Sequence, residues 1–374
     1  MYEGEVQQRM ATHIENLRIS SYRGMKELEL NNLGAVNVFV GDNNVGKTSV
    51  LEAIQLLCAP SKYNLVQIAR QREKYRVGLG VGLVDSLCYL FDMSSENNKC
   101  LEFRLAGSVD GENGEVAVYG ERGVQFLDVS KFHFSVAGQQ SKEKMEAVDT
   151  FYGKIECSFS KYQQEGLDSD EFEINDYSRV RTGKSGQNEI LKSKTILTID
   201  HIIENAFGEL IKSSKVKDKA VQLLKDEFDE SIKDLRIIGN GAGYVPMVEV
   251  VTGEYVPLSL YGDGMKKALT MLNAIVNTEG GVVLIDEFET ALHTSAMENV
   301  FSFVMEAASK LGVQLFLTTH SLEAVDKLLE GAGEHIDSLR VVRLRKKNEK
   351  VFSHVMNGRE ALENRRTYDM EIRV

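Results

Sequence analysis

Nine contiguous residues, GDNNVGKTS at positions 41–49, carry the first recognisable chemistry of this 374-residue chain. They fit the spacing G-x-x-x-x-G-K-[ST], in which Gly41 and Gly46 let backbone N–H groups face a phosphate chain without a Cβ in the way. Asn43, Asn44 and Ser49 fill out the loop. Lys47 is spaced to reach the β- and γ-phosphates, and Thr48 to offer its hydroxyl to Mg²⁺. A second segment, VVLIDEFETALH, runs four apolar residues into two adjacent acids. Asp286 can hold Mg²⁺ directly or through a water, and Glu287 beside it can polarise an attacking water. A third, LFLTTHSLEAV, brings His320 to a strand end, where it can meet a γ-phosphate or the water that attacks it. Each pattern alone also has a plain structural reading: a Gly/Asn turn, acids at a sheet edge, a structural histidine.

The elements around these residues give the patterns their context. Val36–Val40 reads as a buried strand feeding the glycine loop, and KTSVLEAIQLLC after it places Val50, Leu51, Ile54 and Leu57 at helical spacing. Pro60 then stops the helix. The segments GVVLIDE and VQLFLTTH read as further strands separated by helices, which predicts an α/β fold with a mostly parallel sheet. Between the two halves, residues of roughly 78–160 alternate in short runs with a D-G turn signal, as in CLEFRLAGSVDGENGEVAVYG, and predict an antiparallel β lobe. Residues 161–239 predict a helical insert, a short hairpin of helices over Leu197–Ile211 and Val216–Ile237 separated by KSSK. The division is therefore a split core of 1–77 and 240–374, a β lobe of 78–160 and an insert of 161–239.

Composition narrows the function classes. A formal charge of −12 argues against coating nucleic acid by bulk electrostatics, so contact with DNA has to be local. Four scattered cysteines without a C-x-x-C pair point away from a zinc knuckle or a disulfide framework. No segment approaches the roughly 18 apolar residues a membrane span needs, and the start lacks a signal-like run, so a cytoplasmic protein is expected. The pair Asp168 and Asp170 has metal-like spacing but sits in a polar stretch that reads as solvated loop.

In their order, these motifs resemble the ABC-type ATPase heads that include RecF, SMC proteins and the OLD (overcoming lysogenization defect) group. The resemblance covers roughly residues 13–60 and 240–345. It implies ATP and Mg²⁺ as cofactors, Lys47, Thr48 and Asp286 as their ligands, and Glu287 and His320 as catalytic. LYGDGMKKALTML stands where those heads carry a glycine-bearing signature helix; its Gly262, Asp263 and Gly264 are similar to the G-D-G of OLD-like ATPases. By that resemblance the helix N-terminus caps the nucleotide of a second subunit, which implies a homodimer or higher homo-oligomer. Thr290, Ala291, Leu292 and His293 match the D-loop, with His293 where many members have Asp. Arg23 resembles an arginine placed near the nucleotide. The Q-loop glutamine stays open among Gln67, Gln71, Gln139 and Gln140.

Where OLD-class nucleases continue into a Toprim domain, 54 residues (374 − 320) follow His320 here, without an acidic D-x-D cluster. The expectation is an ATPase switch acting on a separate effector, a Toprim-type nuclease or similar, in anti-phage defence. The alternatives are a RecF-like or SMC-like DNA clamp in repair and an ATP-assembled scaffold. Basic stretches IKSSKVKDK and RLRKKNEK are the candidate contacts to DNA phosphates.

Overall fold

The computed structural model describes residues 10–72, 81–92, 101–131, 144–161, 169–178, 189–203, 207–213, 216–239, 244–348 and 350–368. Its centre is a six-stranded sheet in the order β15-β14-β3-β13-β12-β8. The strands are β3 (Val36–Val40), β8 (Ser193–Ile196), β12 (Val282–Ile285), β13 (Gln314–Thr318), β14 (Leu339–Lys347) and β15 (Lys350–Asn357). Five run parallel, and β15 closes one edge antiparallel to β14. Every residue of β3, β12 and β13 is buried, as expected of parallel strands covered on both faces.

That sheet separates two cores because side chains alternate across a strand. Val36, Val38 and Val40 join one core with Val283, Ile285, Leu315 and Leu317. Phe39, Leu284 and Phe316 face the other, where the rings of Phe39 and Phe316 stack at 6.2 Å. Helices α7 (Asp263–Asn277), α8 (Thr294–Leu311) and α9 (Leu322–Gly331) cover the first face; α1 (Lys47–Cys58), α2 (Lys62–Gln71) and α3 (Leu83–Cys88) lie on the second. The chain ends its described part in α10 (Gly358–Tyr368).

The second face also carries a six-stranded antiparallel sheet, β2-β1-β4-β5-β6-β7. It consists of β1 (Ile14–Tyr22), β2 (Met25–Leu30), β4 (Leu101–Val109), β5 (Glu112–Asp128), β6 (Met145–Cys157) and β7 (Ser169–Asn175). Here the expected boundaries shift. β1 and β2, assigned from sequence to the 1–77 part of the core, pair into the β lobe, with Leu17 opposite Gly107. Their half-buried alternation suits a sheet with one covered face. Asp170 lies on β7 opposite Ile155, in a strand where a loop was expected; Asp168 lies outside the described residues.

The helical insert is also corrected. Its described helices are α4 (Asp200–Ile203), α5 (Gly208–Lys212) and α6 (Lys217–Glu227). Phe207, Leu210, Ala220 and Leu224 are buried in the first core, so α5 and α6 lie on the body and do not project as an arm. Ile232 and Leu235, read as helical, belong to strand β9 (Ile232–Gly239), which pairs with β10 (Tyr244–Val250) through Leu235 and Val248. A spacing of three suits a helix and falls on opposite faces of a regular strand; here a register shift, with Ile232 opposite Val250 and Asp234 opposite Glu249, interrupts the alternation, and β10 pairs on with β11 (Tyr255–Pro257). β8, inside the expected insert, is a core strand beside β12. No helix among the described residues is long and apolar enough to cross a membrane.

Candidate nucleotide site

A cleft of about 780 Å³ opens where β3 ends and α1 begins, lined by Asn43, Asn44, Gly46, Lys47, Thr48 and Ser49 together with residues from distant segments. The loop's shape follows from its glycines. Gly41 has φ +144°, and a Cβ there would meet the Leu344 carbonyl oxygen at 2.4 Å; Gly46 has φ +107° and lies against Met25. Asn44, at φ +63°, adds a left-handed turn that asparagine tolerates. Such a curl aims backbone N–H groups inward and ends on the N-terminus of α1, an arrangement suited to phosphate. Lys47 donates to the carbonyls of Gly41 (2.7 Å) and Asp42 (3.0 Å). Burial lowers its pKa, opposed by Asp286, Glu287, Asp42 and Glu289.

The acidic strand end reaches this loop from 238 positions away. Thr48 Oγ1 donates to Asp286 Oδ1 at 3.0 Å, and Thr318 Oγ1, from the end of β13, donates to the same oxygen at 2.7 Å. Among the described residues no cluster of three or more His, Cys, Asp or Glu could hold a metal. A hydroxyl and one carboxylate are hard oxygen donors that fit Mg²⁺, which draws its remaining ligands from phosphates and water. Glu287 follows at φ +47°. Thr318 Oγ1 receives its backbone N–H at 2.9 Å. His320 Nδ1 stands 3.6 Å from Glu287 Oε1 and 3.7 Å from Glu289 Oε1. His320 thus joins Glu287 but does not line the cleft.

Arg23 lines the cleft from the turn after β1. Its Nε lies 2.6 Å from Glu52 Oε2 on α1, and its Nη2 is buried without a hydrogen-bond partner among the described residues. Burial works to lower the guanidinium's pKa; Glu52 and Tyr22 more than offset it and hold the pKa above its ordinary value. Glu52 itself is 2% exposed and also takes Arg72 Nε at 2.8 Å and the Tyr22 hydroxyl at 3.2 Å. Arg72 Nη2 continues to Ser49 Oγ at 2.8 Å. The motif reading missed Glu52 and Arg72. The one signal was a carboxylate on the buried face of a helix, which demands a partner.

Gly262 caps α7 with Asp263 and Gly264 in its first turn, and Lys266 pairs with Asp263 at 3.1 Å. None of the three lines the cleft. In the D-loop place, Thr290 Oγ1 is 3.4 Å from Glu287 Oε2, Ala291 has φ +72°, and Leu292 is buried. His293 caps α8 through the Ser295 N–H. Gln67 is exposed and Gln71 buried on α2, neither lining the cleft; Gln139 and Gln140 lie outside the described residues.

Comparison with known proteins finds similarity to AAA domains. Residues 13–149 match the family model of an AAA ATPase domain, and 160–326 match that of an AAA domain, putative AbiEii toxin, Type IV TA system. An ATP/GTP phosphatase of Helicobacter pylori is 24% identical over 84% of this chain and 87% of its own. The protein MJECL11 of Methanocaldococcus jannaschii is 32% identical over 30% of this chain and 98% of its own, and the two belong to one family. A solved SMC head bound to the C-winged helix domain of ScpA superposes with TM-score 0.49 at 12% identity, covering 94% of this chain and 100% of that one.

Proposed function

We propose that this ABC-type ATPase head is a switch in which ATP, held by one subunit, is enclosed by a second. Lys47 and the 41–49 loop grip the phosphates, Thr48 and Asp286 hold Mg²⁺, and Arg23 adds a guanidinium. Glu287 takes a proton from the attacking water, with His320, 3.6 Å from its carboxylate, acting through it. The observation that carries the reading is a separation. The cleft gathers the phosphate loop, Arg23 and the acidic strand end, yet contains nothing of Gly262–Gly264. A glycine-capped helix N-terminus, exposed and unused by the cleft of its own chain, suits the phosphates of another subunit. ATP then joins two heads, and hydrolysis parts them, which gives a conformational signal to a separate effector, of which a Toprim-type nuclease is the expected form. The words toxin and TA system in one matching family model support a genome-conflict role, and anti-phage defence is the use we favour.

The test is the solution mass of Glu287→Gln with and without Mg-ATP. An ATP-dependent doubling or higher step supports the switch; ATP binding without any change of mass refutes the enclosure by a second subunit. One observation favours a second reading, a clamp on duplex DNA. The end of the β14–β15 hairpin exposes Arg345, Lys346, Lys347 and Lys350, and Lys346 borders the cleft. Assembly that requires duplex DNA as well as ATP would favour the clamp.

A further inference from the structure

Behind the acidic strand end, the structure holds a lysine that the reaction described so far does not use. Lys267, on α7, is 0% exposed. Lysine is almost never fully buried without paired charge. Its Nζ lies 3.5 Å from the carbonyl oxygen of Glu287. That is long for a direct hydrogen bond, but the charge acts in a surrounding of low dielectric where it is poorly screened. Glu289, 8% exposed, is the foremost of the carboxylates that oppose its desolvation, ahead of Asp286, Asp200 and Glu287.

The loop after β12 explains why such a contact matters. Glu287 and Ala291 are both non-glycine residues at positive φ, 47° and 72°. A conformation of that kind persists only when its surroundings enforce it. Helix α7 meets both carbonyls: Lys267 stands at that of Glu287, and Gly264 lies so close to that of Ala291 that an added Cβ would sit 3.0 Å from it. The helix that presents Gly262 and Asp263 outward therefore braces, through Gly264 and Lys267 on its inner side, the backbone that aims Glu287.

We propose that Lys267 is a positioning residue for hydrolysis, fixing the Glu287 carbonyl and with it the direction of the Glu287 carboxylate. The inference rests on the ATPase reading of the same site. The bland alternative is that Lys267 only neutralises Glu289. Glu289 Oε2 has no hydrogen-bond partner among the described residues while Oε1 takes the Thr319 hydroxyl at 2.6 Å, so that alternative is concrete and can be separated.

The experiment compares wild type, Lys267→Met, Glu289→Gln and the double variant K267M/E289Q in full-length protein. Phosphate release in Mg-ATP gives kcat and KM, a fluorescent ATP analogue gives affinity, and thermal melting checks the fold. We expect Lys267→Met to lose about tenfold or more in kcat, with KM and analogue affinity within about twofold of wild type. The double variant, which removes both buried charges, should melt like Glu289→Gln yet turn over about tenfold more slowly than it. Equal kcat in the double variant and Glu289→Gln overturns the proposal, and that pair carries the test if Lys267→Met alone does not fold. An unchanged kcat in folded Lys267→Met overturns it as well. Absence of turnover in wild type would instead refute the ATPase reading, an outcome distinct from either.

Discussion

Replacing Glu52 by glutamine tests how the phosphate-loop helix is anchored. Glu52 is 2% exposed and meets two guanidinium groups, Arg23 at 2.6 Å and Arg72 at 2.8 Å, plus the Tyr22 hydroxyl. The arginines differ in a way that sets the magnitude. The Arg72 side chain is 45% exposed and can turn to water when the carboxylate charge is removed; that of Arg23, at 12%, cannot. Removing one partner of a buried ion pair leaves an uncompensated charge and costs about 3–5 kcal/mol, whereas a half-exposed pair contributes about 1 kcal/mol or less. Glu52→Gln should therefore lower unfolding free energy by about 3 kcal/mol, the glutamine keeping the shape and part of the hydrogen bonding. Arg72→Ala should lower it by about 1 kcal/mol. Urea denaturation of the three proteins, followed by circular dichroism, measures both. Equal losses, or a Glu52→Gln protein as stable as wild type, would refute the argument that Arg23 depends on Glu52 for its charge balance.

Glu287→Gln should retain ATP binding and lose about 100-fold or more of phosphate release, the usual contribution of a general base; retention of turnover would remove Glu287 from that role. Gly41→Ala should abolish binding of a fluorescent ATP analogue, because its Cβ would lie 2.4 Å from the Leu344 carbonyl oxygen at φ +144°. Gly262→Ala has open space around the new methyl group and should melt like wild type; under the proposed enclosure it weakens ATP-dependent assembly, read by light scattering. Stability should also depend on pH through Lys267, whose pKa burial lowers to about 8. Between about pH 8 and the ordinary lysine value near 10.4 the unfolded chain binds the extra proton, so this residue makes stability rise with pH there. The rise is at most about 1.4 kcal/mol per pH unit. Lys267→Met should lack it in urea titrations at pH 8 and 10, and parallel curves for the two proteins would refute the assignment.

Much of the candidate site was legible because its chemistry is written in contiguous runs. The glycine positions, Lys47 and Thr48 share one loop, and Asp286 and Glu287 share one strand end. His320 was harder to place. Its strand could be read, but only the packing puts its ring beside Glu287 and outside the cleft. Glu52 and Arg72 were not legible as a pair, since Glu52 lies on α1 and Arg72 caps the end of α2, and they meet only when α2 folds back on α1.

The sequence by itself determined much of the local geometry: which loop its glycines let curl onto the N-terminus of α1, and which strands are apolar enough to be covered on both faces. Those properties follow from backbone freedom and apolar period within a few residues. The tertiary structure decided membership and contact. It sent β1 and β2 to the lobe, turned Ile232–Gly239 into a strand, and brought Thr48 to Asp286 across 238 positions. It also buried Lys267 beneath Glu287. Strand partners and buried charges depend on which surfaces are left to cover once the whole chain has collapsed, and no local spacing encodes that choice.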